Sequence, residues 1–414
     1  MHILILVQVF PPDNVATAQL YGELALEFRK AGHEVTVLTT CPHYMFDPEA
    51  KDWPLTRPFK FPFGSDCQHG IRVIRTWMPR KGRHPLYRIA CWGWFHALST
   101  LRGLVLRCGC DVILSPSPPP SIGLSAFLLA RRHRVPFVYN VQELYPDVAI
   151  NLGFLKNPLL IRFLLGMEAF IYRHAAALTV ISEGMRRRIL AKGVVPSKIT
   201  MIPNFADLDS LQVLPRNNRF AQEHDLVGRF VVTYAGNMGK PQHLEVLLHA
   251  ARQVRSDSRI AFVMLGDGAE REPLIRLAAR LKLSNLRFLP SQPYHLMNEV
   301  YAASDLGFVP QATGTSADGV PSKAYRIMAC GRPILASTDS SSDLARLVER
   351  SGGGRTVPPA NPTALAEAIL QSSADPAWCK QSGENARAYV AAHHSRKAVA
   401  KQYLDLLSAL ADAQ

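Results

Sequence analysis

The sequence predicts an α/β protein with two doubly wound, Rossmann-like domains. Its length of 414 residues suits two or three domains with sizeable cores. Short apolar runs alternate with longer segments of helical periodicity, which is the pattern of a parallel sheet covered by helices on both faces. The same alternation starts again in the second half. We therefore place a first domain at 1–205 and a second domain at 206–394.

Six apolar runs in the first half are predicted strands: HILILVQ (2–8), HEVTVLT (33–39), IRVIRT (71–76), DVILS (111–115), PFVYNV (136–141) and ALTVIS (177–182). Helical periodicity marks the segments 16–31, 121–133 and 158–174. The polar stretch 203–229 has no strong periodicity and is the predicted linker between the domains.

Six further runs predict the second sheet: RFVVTYAG (229–236), RIAFVMLG (259–266), NLRFLP (285–290), DLGFVP (305–310), RPILAS (332–337) and GRTVP (354–358). Helix-like segments follow these runs and begin near capping or turn residues such as Ser322 and Asn361. Two domains of this kind are expected to face each other across a cleft, where the carboxyl ends of their strands meet.

The composition narrows the classes of function. The chain has 47 Lys and Arg against 33 Asp and Glu, a net charge of +14, of which +11 falls in residues 1–205. Such an excess indicates nucleic acid, an anionic membrane or a phosphorylated substrate as partner, or simply a solvated basic face. Seven cysteines, an odd number in mostly apolar or helical context, indicate a reducing compartment. Because the first residues read as a buried strand and not as a signal peptide, we predict a cytoplasmic protein.

One predicted helix, 84–107, interleaves tryptophans with arginines. Trp92 and Trp94 lie on it together with Arg102 and Arg107. This pattern suits an interfacial helix whose apolar face enters the lipid headgroup region. The alternative is a helix buried in the first domain with its arginines reaching out to solvent. The charge of the first half favours the membrane surface.

Two strand-to-helix junctions of the second domain are rich in glycine. In GNMGKPQ (236–242), Gly236 and Gly239 let the backbone approach a ligand, N–H groups at the helix start favour an anion, and Lys240 adds charge. LGDG (265–268) follows the next strand. Each is alternatively a simple turn.

A third junction, TGTSADGVPSKAYRIMACGRP (313–333), leads from a loop of small residues into a helix. Ser322 is the predicted helix cap, and Asp267 is a second candidate cap in the preceding junction. Lys323 lies in the first helical turn, where a cation is unfavourable unless an anion is bound in front of it. Because all three junctions lie at the carboxyl ends of strands in one domain, we predict a single diphosphate site.

Two segments of the first domain leave strands towards the expected cleft. The segment 10–13 follows the first strand, and 142–147 follows the strand at 136–141. The second segment contains the acidic residues Glu143 and Asp147. A structural role for this pair, as cap or ion-pair partner, is the alternative to a catalytic one.

Together these motifs resemble the family-four glycosyltransferases of the two-domain GT-B fold, most closely the branch that builds bacterial O-antigen and colanic-acid-like polysaccharides. The likeness covers nearly the whole chain: VFPPDNVATAQLYGELALEFRKAGHEVTVLT (9–39), SPPPSIGLSAFLLARRHRVPFVYNVQELYPD (117–147), YAGNMGKPQHLEVLL (234–248), LGDG (265–268), VPSKAYRIMACGRPILA (320–336) and GGGRTVPPANPTALAEAI (352–369). The resemblance implies transfer of a sugar from a nucleotide diphosphate sugar, with retention at the anomeric carbon and without a metal ion or other cofactor.

The resemblance also implies donor-binding residues in the second domain. The family's diphosphate loop is matched by Gly236, Asn237, Gly239 and Lys240, and its nucleotide pocket by Gly266, Asp267 and Gly268. By the same resemblance, the base is held near Pro290, Ser291 and Gln292. The diphosphate would face Pro321, Ser322 and Lys323. Two glutamates of many relatives are matched by Asp318, near the sugar, and Arg326. Arg326 accepts no hydrogen bond from ribose hydroxyls, so either another group binds the ribose or Arg326 meets the diphosphate.

On the acceptor side the resemblance implies a polyprenyl diphosphate-linked saccharide at the inner face of the cytoplasmic membrane. Phe10, Pro11, Pro12 and Asp13 would border this acceptor. Many relatives have a His-Asp pair where this chain has Gln142 and Glu143. By this resemblance Gln142 would contact the transferred sugar, although an amide shuttles no proton, and Glu143 is a candidate base. A helix at 395–414 is expected to pack back on the first domain.

The predicted donor is a UDP-sugar, an N-acetylated hexosamine or a deoxyhexosamine. Two alternatives remain open. A nucleotide-sugar epimerase has the same architecture and would interconvert UDP-sugars without an acceptor. A non-catalytic nucleic-acid binder would explain the charge, but the sequence has no recognisable binding module for it, so we predict no nucleic-acid partner.

Overall fold

The structure, a computed structural model, describes residues 1–13, 15–43, 61–79, 85–107, 109–151, 153, 155–313 and 319–413. The chain forms two compact units. The first consists of Met1–Pro203 and Arg396–Gln414, and the second of Asn204–Ser395. The predicted boundaries lie within two residues of these.

The first unit has a sheet of eight strands in its described residues: β1 (His2–Leu6), β2 (Glu34–Thr40), β3 (Phe63–Gln68), β4 (Ile71–Thr76), β5 (Val112–Ser117), β6 (Phe137–Val141), β7 (Ala177–Val180) and β8 (Ile199–Met201). Their order is β3-β4-β2-β1-β5-β6-β7-β8, and only β3 is antiparallel to its neighbour. Strand β1 is an unbroken apolar run because helices cover both faces of the sheet, as predicted. The sequence prediction missed β3, which has no apolar alternation, and β8, which has three residues.

In the described part of the first unit, six helices precede the second unit: α1 (Ala16–Lys30), α2 (Pro85–Val105), α3 (Ile122–His133), α4 (Asp147–Asn151), α5 (Pro158–His174) and α6 (Glu183–Ala191). Helix α2 is the predicted interfacial helix. Its Phe95 and Cys91 are buried in the core of the unit, and Gly103 lies directly against Leu129 of α3. Helix α2 therefore contributes to the core, while its Trp94, Leu101 and Val105 are exposed, and its contact with a membrane stays a prediction.

The second unit has a parallel sheet whose described strands are β9 (Phe230–Ala235), β10 (Ile260–Leu265), β11 (Leu286–Leu289), β12 (Leu306–Pro310), β13 (Ile334–Ser337) and β14 (Gly354–Val357). Each corresponds to a predicted run. The order is β11-β10-β9-β12-β13-β14, so the direction of winding reverses between β9 and β12. Ligands of doubly wound sheets bind at this reversal, outside the carboxyl ends of the two strands.

Eight helices belong to the described part of the second unit: α7 (Arg219–Glu223), α8 (Glu245–Gln253), α9 (Arg271–Arg280), α10 (Met297–Ala302), α11 (Ser322–Ala329), α12 (Asp343–Ser351), α13 (Pro362–Ser373) and α14 (Pro376–His393). The predicted linker 203–229 is wrong, because Leu211, Phe220 and Leu226 of this segment are buried in the core of the unit. Arg216 also forms an ion pair with Asp305, at 2.8 Å, so the segment is held by packing and charge.

A last helix, α15 (Arg396–Asp412), completes the first unit. Arg396 at its start pairs with Glu27 of α1, with 3.0 Å between Nε and Oε1. Further along, Tyr403 is buried and reaches Asn140 at the carboxyl end of β6. The end of the chain therefore contributes to the same strand end as the predicted segment 142–147.

Candidate active site

The ends of three neighbouring strands of the second unit are joined by backbone hydrogen bonds. The N–H of Gly236, after β9, donates to Leu265 at 3.0 Å, and the N–H of Gly266, after β10, donates to Leu289 at 3.3 Å. Both glycines have positive φ angles, 144° and 138°. A Cβ atom on Gly266 would overlap the carbonyl oxygen of Gly236. Glycine at this position is what allows the loops after β9 and β10 to touch.

The loop 236–240 does not offer the row of free N–H groups that the sequence analysis expects. Met238 donates to the carbonyl of Asp267 at 2.8 Å, and Gly239 donates to Oε1 of Gln242 at 3.1 Å. Gly236 is also committed, as described above. What this loop presents to solvent are the exposed residues Asn237 and Lys240. The N–H groups of Asn237 and Lys240 donate to no acceptor within the described residues, so the loop offers these two donors and the Lys240 ammonium group to an anion.

Two predicted helix caps are wrong. Ser322 is the first residue of α11, whose N-cap is Pro321 and has no capping side chain. Asp267 accepts a hydrogen bond from the adjacent Gly268 N–H at 2.8 Å, and the N-cap of α9 is Glu270. No side chain caps this helix, and the N–H groups of Ser322 and Lys323 donate to no acceptor within the described residues. They are two free donors at this site.

Lys323 brings a cation to the same point. Its Nζ lies 4.0 Å from the centre of the Tyr234 ring, beside Gly236, where an added Cβ would come within 2.7 Å of it. The Tyr234 hydroxyl donates to the carbonyl of Asn237 at 2.6 Å, which holds the ring under the ammonium group. No ion pair joins Lys323 to any carboxylate in the described part of the chain. Lys323, Tyr234 and Gly236 thus form one contact cluster at the reversal point.

Desolvation lowers the pKa of the Lys323 ammonium to about 7. A half-buried, desolvated cation without a carboxylate is unfavourable, and its place in the first turn of α11 adds the repulsion of the helix dipole. A bound anion relieves both. The cluster therefore has the electrostatics of an anion site that is completed by its ligand.

The pH dependence of donor binding tests this picture. A diphosphate diester binds the charged form of Lys323, so binding above about pH 7 takes up a proton. We expect the dissociation constant of a UDP-sugar to rise up to about tenfold per pH unit between about pH 7 and about pH 8.5. Calorimetry in buffers of different ionisation enthalpy measures both the constant and the proton uptake. A constant that does not change over this range would contradict a low pKa for Lys323.

The remaining donor-side predictions lie on α11, after β11 or outside the described residues. Asp318 falls outside them. Arg326 lies one helical turn after Ser322. Burial raises the pKa of Tyr301 to about 12, and the nearby charge of Arg326 opposes this rise. Pro290, Ser291 and Gln292 follow β11, and Gln292 donates to the Pro290 carbonyl at 3.3 Å.

A buried residue that was not predicted from the sequence, Gln311, shapes the loop before α11. Gln311, directly after β12, donates through Nε2 to the carbonyl of Gly319 at 2.9 Å. Its Oε1 accepts from the Thr338 hydroxyl at 2.8 Å, after β13. The signal was a polar residue immediately following a buried strand. Gln311 therefore connects two strand ends to the loop that leads into Lys323.

In the first unit, Gln142 belongs to a buried network that sequence analysis also missed. Its Nε2 donates to Oδ1 of Asn140 at 2.6 Å, and Tyr21 donates to the same oxygen at 2.8 Å. Asn140 in turn donates to Thr179 at 2.7 Å and Tyr403 at 3.0 Å. The network fixes the amide of Gln142 at the carboxyl end of β6. Asn140, in the middle of a buried strand sequence, was the visible signal.

The two acidic residues of the segment 142–147 have different surroundings. Glu143 is exposed beside Gln142. Asp147 accepts from Nζ of Lys192 at 2.9 Å, and Lys192 also pairs with the buried Glu168 at 2.6 Å. Asp147 is thus the ion-pair partner that the structural alternative describes, and Glu143 alone stays a candidate for chemistry.

The predicted acceptor segment is buried in the first unit. Phe10, Pro11, Pro12 and Asp13 all have buried side chains, and Asp13 accepts from the N–H of His43 at 3.0 Å. Arg75 donates to the Pro11 carbonyl at 2.6 Å, and burial lowers its pKa to about 10. In this structure the segment anchors the loop after β1. Its contact with an acceptor stays a prediction.

Within the described ranges, no group of three or more His, Cys, Asp or Glu side chains is placed to hold a metal ion. None of the described helices is both long and apolar enough to cross a bilayer.

Comparison with known proteins identifies the chain. Residues 17–204 match the glycosyl transferase 4-like domain, and residues 216–389 match the glycosyl transferases of group 1. Together with the two doubly wound units, these matches define a glycosyltransferase of the GT-B fold. The chain belongs to glycosyltransferase family four, which confirms the resemblance drawn from the sequence.

Two relatives illustrate the range of similarity. The probable glycosyltransferase WbjE of Pseudomonas aeruginosa is 31% identical over 63% of this chain and 65% of its own length. WcaI of Escherichia coli (strain K12), whose name describes a glycosyl transferase of colanic acid biosynthesis, is 24% identical over 90% of this chain and 92% of its own. Among solved structures, Anabaena HepE in complex with UDP-glucose has a TM-score of 0.72 at 18% identity, covering 99% of this chain and 100% of HepE, which shows the shared fold.

Proposed function

We propose that this glycosyltransferase moves a sugar from a UDP-sugar to a lipid-linked saccharide during assembly of a bacterial surface polysaccharide, with retention at the anomeric carbon. The observation that carries the proposal is Lys323. It is a desolvated cation at the start of α11, beside the glycine turn after β9, and none of the described carboxylates pairs with it. A diphosphate is the ligand that suits such a site.

The chemistry follows from where charge develops. The bond between the anomeric carbon and the donor diphosphate breaks, and the acceptor oxygen takes its place on the same face of the sugar. The leaving diphosphate gains negative charge and takes the proton of the acceptor hydroxyl. Lys323 and the free N–H groups of Ser322 and Lys323 are placed in advance to stabilise it, with Lys240 as a further cation at the edge. In this proposal these groups take the role that a divalent ion has in other transferases.

The class of substrate rests on relatives. WcaI is named for colanic acid biosynthesis, and WbjE for glycosyl transfer. HepE, a protein of the same fold, was crystallised with UDP-glucose. We propose an N-acetylated hexosamine or a deoxyhexosamine as the transferred sugar, and a polyprenyl diphosphate-linked saccharide as acceptor.

The first unit is the proposed acceptor side. The network through Asn140 holds Gln142 at a strand end, beside the exposed Glu143. In this proposal Gln142 contacts the transferred sugar and the segment Phe10–Asp13 borders the acceptor. A lipid-linked acceptor requires the enzyme to work at the inner face of the cytoplasmic membrane, as a peripheral protein.

A panel of UDP- and GDP-sugars tests the proposal. We expect one UDP-sugar to raise thermal stability, since a ligand at about 100 times its dissociation constant adds about 2.7 kcal/mol to the free energy of unfolding. That donor should label a lipid-linked saccharide extract with retention, as read by NMR of the product. Absence of binding and of slow donor hydrolysis across the panel would contradict the proposal. Interconversion of free UDP-sugars without acceptor would instead identify an epimerase.

A further inference from the structure

The outer face of α5 is apolar. Leu159, Phe163 and Phe170 form a stripe at helical spacing and are 78%, 67% and 37% exposed. The inner face of the same helix holds the buried residues Ile171 and Tyr172. A solvent-exposed helix normally has a polar outer face, so this helix presents an apolar surface for which the described structure provides no partner.

The apolar surface continues across two neighbouring helices. Phe127 of α3 meets Phe170 edge to face, with 5.1 Å between ring centres. Leu128 of α3 is exposed beside it, as are Leu101 and Val105 of α2. Between α2 and α3 runs a groove of about 440 Å³ whose apolar walls are formed by Leu101, Leu104, Leu124 and Leu128. We call the exposed apolar side chains of these three helices the α2–α3–α5 face.

The charge around this face has one sign. The segments 85–107, 122–134 and 156–174 each contain three Lys or Arg residues, and their one acidic residue is Glu168. Glu168 is buried and paired with Lys192. The exposed basic residues that flank the face are Arg107, Arg131, Arg132, Lys156, Arg162 and Arg173. An apolar face whose three helical segments expose only basic charged residues among the described ones is complementary to an anionic lipid surface.

We propose that the α2–α3–α5 face docks the protein on an anionic bilayer, with α5 as the main inserted helix. This extends the sequence expectation, which assigned membrane contact to α2 alone. Helix α2 divides its apolar side chains between the core and this face, whereas the stripe on α5 lies entirely on the outer side of its helix. The inference rests on the proposed function only for the identity of the acceptor lipid. Docking itself requires neither donor nor acceptor.

Vesicle binding of the full chain tests the apolar part. The probes are phosphatidylcholine vesicles with and without phosphatidylglycerol, in the absence of any sugar nucleotide. We expect L159S/F163S to weaken binding to the anionic vesicles about 100-fold, since two large side chains no longer enter the lipid. The matched control is V213S/L370S, which changes two similarly exposed apolar residues of the second unit and should leave binding unchanged. Circular dichroism verifies that both variants are folded.

A separate variant tests the contribution of the basic residues to docking. R162Q should weaken binding about fivefold at low salt and less as salt screens the surface, whereas R350Q, an exposed arginine of the second unit, should have no effect. Unchanged vesicle binding in L159S/F163S would overturn the proposal. So would a dimer of the parent protein that L159S/F163S dissociates, with no vesicle binding in either, because the face would then join two copies of the chain. Since UDP-sugar binding is measured separately, a failure of the proposed function is distinguishable from a failure of docking.

Discussion

Replacing Lys323 by methionine should lower the turnover of the UDP-sugar about 100- to 1,000-fold. The ammonium group lies at the start of α11 beside Gly236, where the diphosphate is proposed to leave. Removing one preorganised charge or donor from a developing anion has an effect of this size in other enzymes. Methionine keeps the length and most of the packing of the side chain over Tyr234. Steady-state rates with the donor identified by the panel measure the effect.

Stability separates a lost charge from a damaged fold. Because the cation is desolvated and none of the described carboxylates pairs with it, K323M should unfold at the same temperature as the parent protein or at a higher one. K380M, an exposed lysine of α14, is the matched control and should change neither rate nor stability. Turnover within a factor of two of the parent protein would remove Lys323 from the site. A lowered melting temperature would show that its role is structural.

The sequence was sufficient for the fold class because both sheets are buried on two faces. Every predicted strand has a counterpart in the structure, since a run such as 2–8 stays apolar only when helices cover both sides. The segments that were predicted wrongly have no such continuous apolar pattern. Strand β3 (Phe63–Gln68) is an antiparallel edge with mixed composition, and the segment 203–229 packs through scattered apolar residues without a period.

The candidate site was predictable in location but not in detail. Glycines after strands and a lysine in the first turn of a helix can be recognised in the sequence. The sequence does not show which N–H groups are already bonded, because Asp267 and Gln242 each accept from one N–H group of loop 236–240 only in the folded unit. The contact between Asn140 and Tyr403 spans 263 positions of sequence and has no local signal. Only the folded structure therefore distinguishes an anion site made of side chains and helix ends from a simple turn.

Replacing Gly266 by alanine should destabilise the protein by at least about 3 kcal/mol and abolish donor binding in the fraction that folds. The φ angle of 138° is itself strained for alanine. In addition, the new Cβ would overlap the carbonyl oxygen of Gly236, which is backbone and cannot rotate away. Relief requires the loops after β9 and β10 to separate, which removes Gly236 from Lys323. Urea unfolding and UDP-sugar calorimetry measure the two effects.

A second glycine distinguishes the overlap from the backbone angle. Gly228 also has a positive φ, 76°, but an added Cβ there would meet nothing within 4 Å. G228A should therefore lose only about 1 kcal/mol, the effect of the angle alone, and should bind donor normally. If G266A and G228A lose equal stability, the two loops are not in contact in solution. If G266A loses stability but binds the donor as the parent protein does, the junction is structural and the diphosphate lies elsewhere. The expected combination, a larger loss of stability together with lost binding, would show that the contact between two glycine turns shapes the anion site at Lys323.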